Sequence, residues 1–201
     1  LAGIKGVLQV LMSRRRADDS EVPLMRDVVG RIDSLSDIIN DLMIFARPRP
    51  ARASVSAVRP LLDDLVRQAR RDPAVAPLEI SVEGEATVRA DSDLIRAAVL
   101  NLLLNAGQAI GGKGRVSITT SRHDHLVWIE VRDTGPGIPQ EIQDRVFEPF
   151  FTTKARGGGL GLAIAQRTAE LHGGTLTMTC PETGGTVMRL TLAEDGPSGA
   201  D

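Results

Sequence analysis

Pro48 and Pro50, set among arginines in Arg47-Pro48-Arg49-Pro50-Ala51-Arg52, divide this 201-residue chain into two parts built on different periodicities. Proline lacks a backbone N–H and biases the residue before it away from helical geometry, so a helix arriving from upstream must stop here. Upstream, Leu1, Ile4, Leu8 and Leu11 step by three and four, and Val28, Ile32, Leu35, Ile39, Leu42 and Ala46 keep the same heptad spacing. That pattern predicts two helices with coiled-coil seams. The polar stretch Arg14 to Asp19, followed by Ser20 and Pro23 at a capped first turn, makes an antiparallel hairpin the simple reading. A hairpin this short buries little alone, so its seams call for a second copy in a four-helix bundle, or else for packing on the remainder of the chain.

Downstream, element types alternate. The pattern predicts a helix near Arg59 to Arg71, strands near Leu78 to Glu83 and Ala86 to Arg89, and a long helix from about Ser92 to Ile110. Strands at Arg115 to Ser121 and Leu126 to Arg132 follow, then a Gly/Pro loop, a Gly-rich loop, a helix over Leu160 to His172 and two last strands. Consecutive strand pairs favour an α+β two-layer sandwich, a mixed sheet covered by helices on one face. The division expected is a partial hairpin over 1–47, a linker over 48–54, the mixed domain over 55–193 and a disordered tail over 194–201.

Charge and cysteine usage exclude several classes. With 24 basic against 26 acidic residues, no overall field attracts nucleic acid or an anionic membrane. Cys180 is alone and the three histidines are scattered, which leaves no internal disulfide and no zinc spacing and favours a reducing compartment. No stretch approaches the ~18 apolar residues of a membrane span, so a cytoplasmic location is expected for this region. The chain starts at Leu1 inside a running helical pattern, and is expected to be part of a longer protein whose own anchoring is open.

Four segments carry chemistry that converges on a magnesium nucleotide. In NLLLNA, Asn101 and Asn105 lie four apart on one helix face, neutral oxygen donors suited to Mg2+ when phosphates supply the other ligands; capping or solvation is the bland reading. In Asp133-Thr134-Gly135-Pro136-Gly137-Ile138-Pro139, the carboxylate at a strand end can accept from an exocyclic amine such as that of adenine; a structural Asx turn is the alternative. Phe147-Glu148-Pro149-Phe150-Phe151-Thr152-Thr153-Lys154 holds three of four phenylalanines, either a hydrophobic anchor at the root of a mobile loop carrying Lys154 towards a phosphate or a buried aromatic knot. Gly157-Gly158-Gly159-Leu160-Gly161-Leu162-Ala163-Ile164 feeds a helix start, where exposed amides and the dipole make an anion site. Neither a dinucleotide fingerprint nor a Walker loop fits, because the glycine run follows a lysine-bearing loop and Gly114 stands where the Walker hydroxyl belongs.

In order and spacing these segments resemble the boxes of sensor histidine kinases of the Bergerat-fold ATPase group: NLLLNA the asparagine box, DTGPGIP the first glycine box, FEPFFTTK the phenylalanine box and GGGLGLAI the second glycine box. The resemblance covers about Val55 to Leu192 and, more loosely, the hairpin. It implies ATP and Mg2+ as cofactors. Asn105 would hold Mg2+ with support from Asn101, and Asp133 would accept the adenine amine in a pocket shaped by Gly135, Gly137 and Ile138. Lys154 would meet the terminal phosphates, and with Asn105 forms the implied catalytic pair. Gly157, Gly159 and Gly161 would shape a lid over 152–159 and its helix start, with Leu160 and Leu162 packing nearby, and Thr186 would complete the adenine pocket.

The same resemblance implies transfer of the ATP γ-phosphoryl group to a hairpin histidine, relay to an aspartate of a response-regulator receiver domain, and a homodimer through the hairpin. LAGIKG resembles residues that follow the family's phosphoacceptor motif, so the acceptor is expected upstream of Leu1, and His123, His125 and His172 are expected to be structural or solvent-facing. Gln108 stands where the family often carries a basic residue, which leaves one phosphate contact to another side chain such as Arg156. The compact lid is similar to that of nitrogen-regulator sensors. Two rivals remain: an ATPase switch of the same fold, which typically needs a glutamate where Asn101 stands, and a nucleotide-sensing dimer without kinase activity.

Overall fold

A computed structural model describes residues 2–15, 19, 21–46, 51–154 and 158–196. The expectations for Pro48, Pro50, Arg156 and Gly157, and for the tail beyond Gly196, lie outside the described residues. Both heptad series are helical, α1 (Ala2–Ser13) and α2 (Glu21–Ala46). They pack on each other, and α2 also touches the last helix of the following unit. Much of the seam stays uncovered: Ile4, Leu11, Val28, Leu35 and Ile39 are exposed, whereas Ile32 is buried. No helix among the described residues is long and apolar enough to cross a membrane.

The second part runs β1 (Ser54–Ala57), α3 (Val58–Ala69), β2 (Glu79–Glu83), β3 (Thr87–Ala90), α4 (Ser92–Ile110), β4 (Arg115–His123), β5 (Leu126–Asp133), α5 (Gln140–Gln143), α6 (Gly161–Leu171), β6 (Leu176–Thr179) and β7 (Val187–Ala193). Five strands form one sheet in the order β2-β4-β5-β7-β6, with β2 parallel to β4 and every other pair antiparallel. This is the mixed sheet of an α+β sandwich. Side chains alternate across a strand, and Val116 and Ile118 of β4, Val127, Ile129 and Val131 of β5, and Leu190 and Leu192 of β7 all fall on the face covered by helices. Asp133 ends β5 in the same parity, so its carboxylate is carried under the helices rather than out to solvent.

Helix α4 is the central cover. Asp91 caps it by accepting from the N–H groups of Asp93 and Leu94, and Gly111 ends it in the left-handed conformation, its N–H donating to Gly107 O at 3.0 Å. Its buried side, including Ile95, Ala98, Val99, Leu102, Leu103 and Ala106, faces the sheet core and leaves the opposite face for chemistry. Helix α6 packs beside α4. The two are pinned together by His172, fully buried, whose Nε2 accepts the Asp91 N–H at 3.0 Å and whose Nδ1 then donates to Thr168 O at 2.7 Å.

Three features depart from the sequence reading. Ser54–Ala57, taken as linker and domain edge, is a strand that pairs antiparallel with β3 in a separate two-stranded sheet, so β3 does not join the main sheet beside β2. Its four residues are mostly exposed and give no apolar alternation; the pairing is made by backbone bonds and by the Arg52 N–H donating to Asp91 Oδ2 at 2.8 Å. Glu194, placed in the tail, accepts the Arg89 N–H at 2.9 Å and donates to His125 O at 2.8 Å, which fastens the strand end. The three phenylalanines are not one anchor. Phe147 packs on the core, Phe150 is 60% exposed with φ +68°, and the Phe151 ring lies under the Arg145 guanidinium at 4.5 Å.

Candidate functional site

Between the outer face of α4, the end of β5 and the start of α6 lies a cleft of about 460 Å³. Asp133 sits at its base, 6% exposed. Its Oδ1 accepts the Gly135 N–H at 2.7 Å and the Thr186 N–H at 3.2 Å, while Oδ2 has no protein partner among the described residues. A carboxylate buried with one oxygen satisfied and the other open to a cleft is set to receive a donor from a ligand. Val131, Ile138, Met188 and Thr186 line the cleft around it, a mostly apolar slot. The slot depends on close backbone approach: at Gly185, with φ +85°, an added Cβ would lie 2.1 Å from Asp133 O.

The other end of the cleft is polar. Asn101, Asn105 and Gln108 stand on one face of α4 and all line it, as do Lys154 and the residues Gly158 to Leu162. Lys154 Nζ donates to Asn105 Oδ1 at 2.6 Å and to Gln108 Oε1. Part of the lysine is open to solvent, yet desolvation by the surrounding protein holds its ammonium below the ordinary lysine pKa. Leu160 is buried and precedes the first turn of α6, whose start has no side-chain cap and lines the cleft at Gly161 and Leu162, while Gly161 lies so near Asn101 that a Cβ there would meet its Cγ at 3.4 Å. Gly159, at φ +65°, accepts the Phe150 N–H at 3.0 Å; a Cβ there would lie 2.5 Å from the Phe150 carbonyl carbon.

Thus Asn101, Asn105, Asp133, Gly137, Ile138, Lys154, Gly159, Leu160, Gly161, Leu162 and Thr186 line one cleft. Gly135 is not in the lining and acts through its N–H on the Asp133 carboxylate. Gly157 lies outside the described residues.

The donor chemistry suits a hard divalent cation. Asn105 Oδ1 already faces a cation in the form of the lysine ammonium, and no cluster of three His, Cys, Asp or Glu residues exists among the described residues to bind metal by itself. A metal here would take few protein ligands and rely on ligand phosphates.

Residues 90–196 match the family of histidine kinase-, DNA gyrase B-, and HSP90-like ATPases, more than half of the chain. The chain belongs to this family. The signal transduction histidine-protein kinase AtoS of Escherichia coli K12 is 32% identical over 180 residues, which cover 88% of this chain and 29% of that protein. The sensor histidine kinase ZraS of the same organism is 31% identical over 195 residues, 96% of this chain and 42% of that protein. The chain therefore spans well under half of these curated relatives. Among solved structures, full-length ShkA in complex with AMPPNP superposes with a TM-score of 0.78 at 25% identity over 97% of this chain and 44% of that one.

Within this ATPase fold the cleft also holds residues that sequence reasoning did not single out. Ile142 of the single-turn helix α5 and Val146 just beyond it, together with Phe151, close one side, and no periodic signal marks isolated apolar residues in so short a turn. Gln108, noted only as a departure from the family, meets Lys154. Cys180 touches the first glycine loop, receiving the Ile138 N–H on its sulfur at 3.4 Å.

Proposed function

We propose that this chain is the ATP-binding catalytic region of a sensor histidine kinase, which passes the ATP γ-phosphoryl group to a histidine on the dimerisation hairpin for relay to an aspartate of a response-regulator receiver domain. The observation that carries this reading over a water-activating ATPase is the acid inventory of the cleft. Asp133 is the only carboxylate among the described lining residues, its Oδ1 is engaged by two backbone N–H groups, and it stands in the apolar slot. Among the described lining residues no second carboxylate remains to deprotonate an attacking water, and an amide, Asn101, occupies the α4 face where such a base would stand. The acceptor must bring its own nucleophile.

Asp133 Oδ2 accepts the adenine amine, and the slot around Ile138, Met188 and Thr186 fixes the ring. Asn105, with Asn101 beside it, would hold Mg2+, which supplies positive charge against the phosphate oxygens when bound. Phosphoryl transfer asks the protein chiefly for in-line positioning and neutralisation of spreading charge. Lys154 and the first N–H groups of α6 provide both from the polar end of the cleft.

The three histidines visible here do not serve as acceptor. His172 is buried with both ring nitrogens engaged, His123 stacks on Trp128 at 4.1 Å between ring centroids, and His125 lies in the β4–β5 turn. The exposed apolar stripe of the hairpin supports a homodimer, and we place the region in the cytoplasm. Calorimetry with Mg2+ and a non-hydrolysable ATP analogue tests the site: binding is expected, and no heat of association sinks the reading. Supplying a histidine-bearing hairpin in trans with labelled ATP is expected to yield phosphohistidine; free phosphate alone would favour the ATPase reading.

A further inference from the structure

Gln108 takes no part in the chemistry proposed above, yet Lys154 reaches it across 46 residues of chain. The same ammonium donates to Asn105 Oδ1 at 2.6 Å. Asn105 and Gln108 are three apart on α4 and share a face, so their carboxamide oxygens make one seat for one cation. Asn105 Oδ1 is also the oxygen assigned above to Mg2+. An ammonium in hydrogen-bond contact and a dication in direct coordination compete for the same lone pairs and repel each other strongly at such separations. Lys154 therefore has to leave Asn105 before a metal nucleotide is seated, and Gln108 is the group that holds it back. A basic side chain at this position would repel the ammonium; a neutral carboxamide attracts it.

We propose that Gln108 is a positioning residue that, with Asn105, holds Lys154 in the cation seat of the nucleotide-free chain and sets how much nucleotide affinity goes into releasing it. The proposal rests on the reading of Asn105 as the metal-holding residue. It also accounts for a lysine drawn down onto α4 instead of extending into solvent. Gln108 itself is exposed on α4, away from the buried Leu102, Leu103 and Ala106, so its replacement leaves the core intact.

The test compares the wild-type chain with Gln108→Leu, which keeps bulk and removes the oxygen, and Gln108→Glu, which keeps the oxygen. Limited trypsin digestion without nucleotide, read by mass spectrometry at the Lys154–Ala155 bond, reports how freely the lysine leaves its seat. Gln108→Leu is expected to speed that cleavage by about three- to tenfold, the scale of one partly solvent-exposed hydrogen bond. Its affinity for Mg2+ with a non-hydrolysable ATP analogue is expected to rise by a similar factor. Gln108→Glu is expected to return cleavage to the wild-type rate or below. Equal cleavage in wild type and Gln108→Leu overturns the proposal, as does weaker nucleotide binding in Gln108→Leu with cleavage unchanged. A chain that binds no nucleotide in any form sinks the proposed function and the affinity half of this inference, while the cleavage rates still decide whether Gln108 holds Lys154.

Discussion

His172 Nε2 accepts the backbone N–H of Asp91 at 3.0 Å, joining the end of α6 to the start of α4 inside the core. Because both helices form walls of the cleft, this bond fixes the phosphate end relative to the asparagine face. His172→Leu removes the acceptor of the Asp91 N–H and the donor to the Thr168 carbonyl in a buried site, and losing a partner there costs about 1–3 kcal/mol. Urea unfolding is expected to show a loss of roughly 2–4 kcal/mol, with His172→Gln losing less. An unchanged midpoint would show that the bond contributes nothing.

Asp133→Asn is nearly isosteric and separates charge from shape. The amide oxygen still accepts from Gly135 and Thr186, so the amide nitrogen takes the Oδ2 position and presents a donor to the purine. Affinity for an ATP analogue is expected to drop at least about tenfold, in line with a lost charge-assisted hydrogen bond. The corresponding guanine nucleotide, with an acceptor at that ring position, is expected to gain relative to ATP. Titration of both nucleotides into wild type and variant gives the four affinities required.

Gly184 and Gly185 form an internal control. Both have positive φ, +88° and +85°, but a Cβ at Gly184 meets nothing within 4 Å, whereas one at Gly185 would lie 2.1 Å from Asp133 O. Gly184→Ala is expected to cost about 1–2 kcal/mol from the left-handed conformation alone. Gly185→Ala adds displacement of the strand end that carries Asp133, and is expected to lose nucleotide affinity as well as stability. Thermal melting with and without nucleotide distinguishes the two.

Metal dependence should pass through Asn105. Chelating Mg2+ is expected to weaken nucleotide binding by wild type, and the same chelation is expected to change the affinity of Asn105→Ala much less. Metal and side chain then act in one cycle, and a coupling on the order of 1–3 kcal/mol is expected for groups in contact. Additive effects in the titrations would place the metal elsewhere.

Much of the sheet and site was legible because it follows from local geometry. Alternation predicted a strand over Leu126 to Arg132 with the Asp133 carboxylate at its end, and the four-residue step put Asn101 and Asn105 on one face of α4. β1 was not legible, since Ser54–Ala57 is held by backbone pairing that leaves no side-chain pattern. Phe150 was misjudged for a related reason: aromatic composition does not tell which member of a cluster the backbone turns outward.

Sequence alone determined the helical and strand periodicities and which residues share a face of one element, because each depends on neighbours a few positions apart. Only the tertiary structure decided that Thr186 would steady Asp133 from 53 residues away, and that Lys154 would settle on Asn105 and Gln108. Such meetings are set by how the sheet twists and the helices pack upon it, and packing is a property of the whole folded chain.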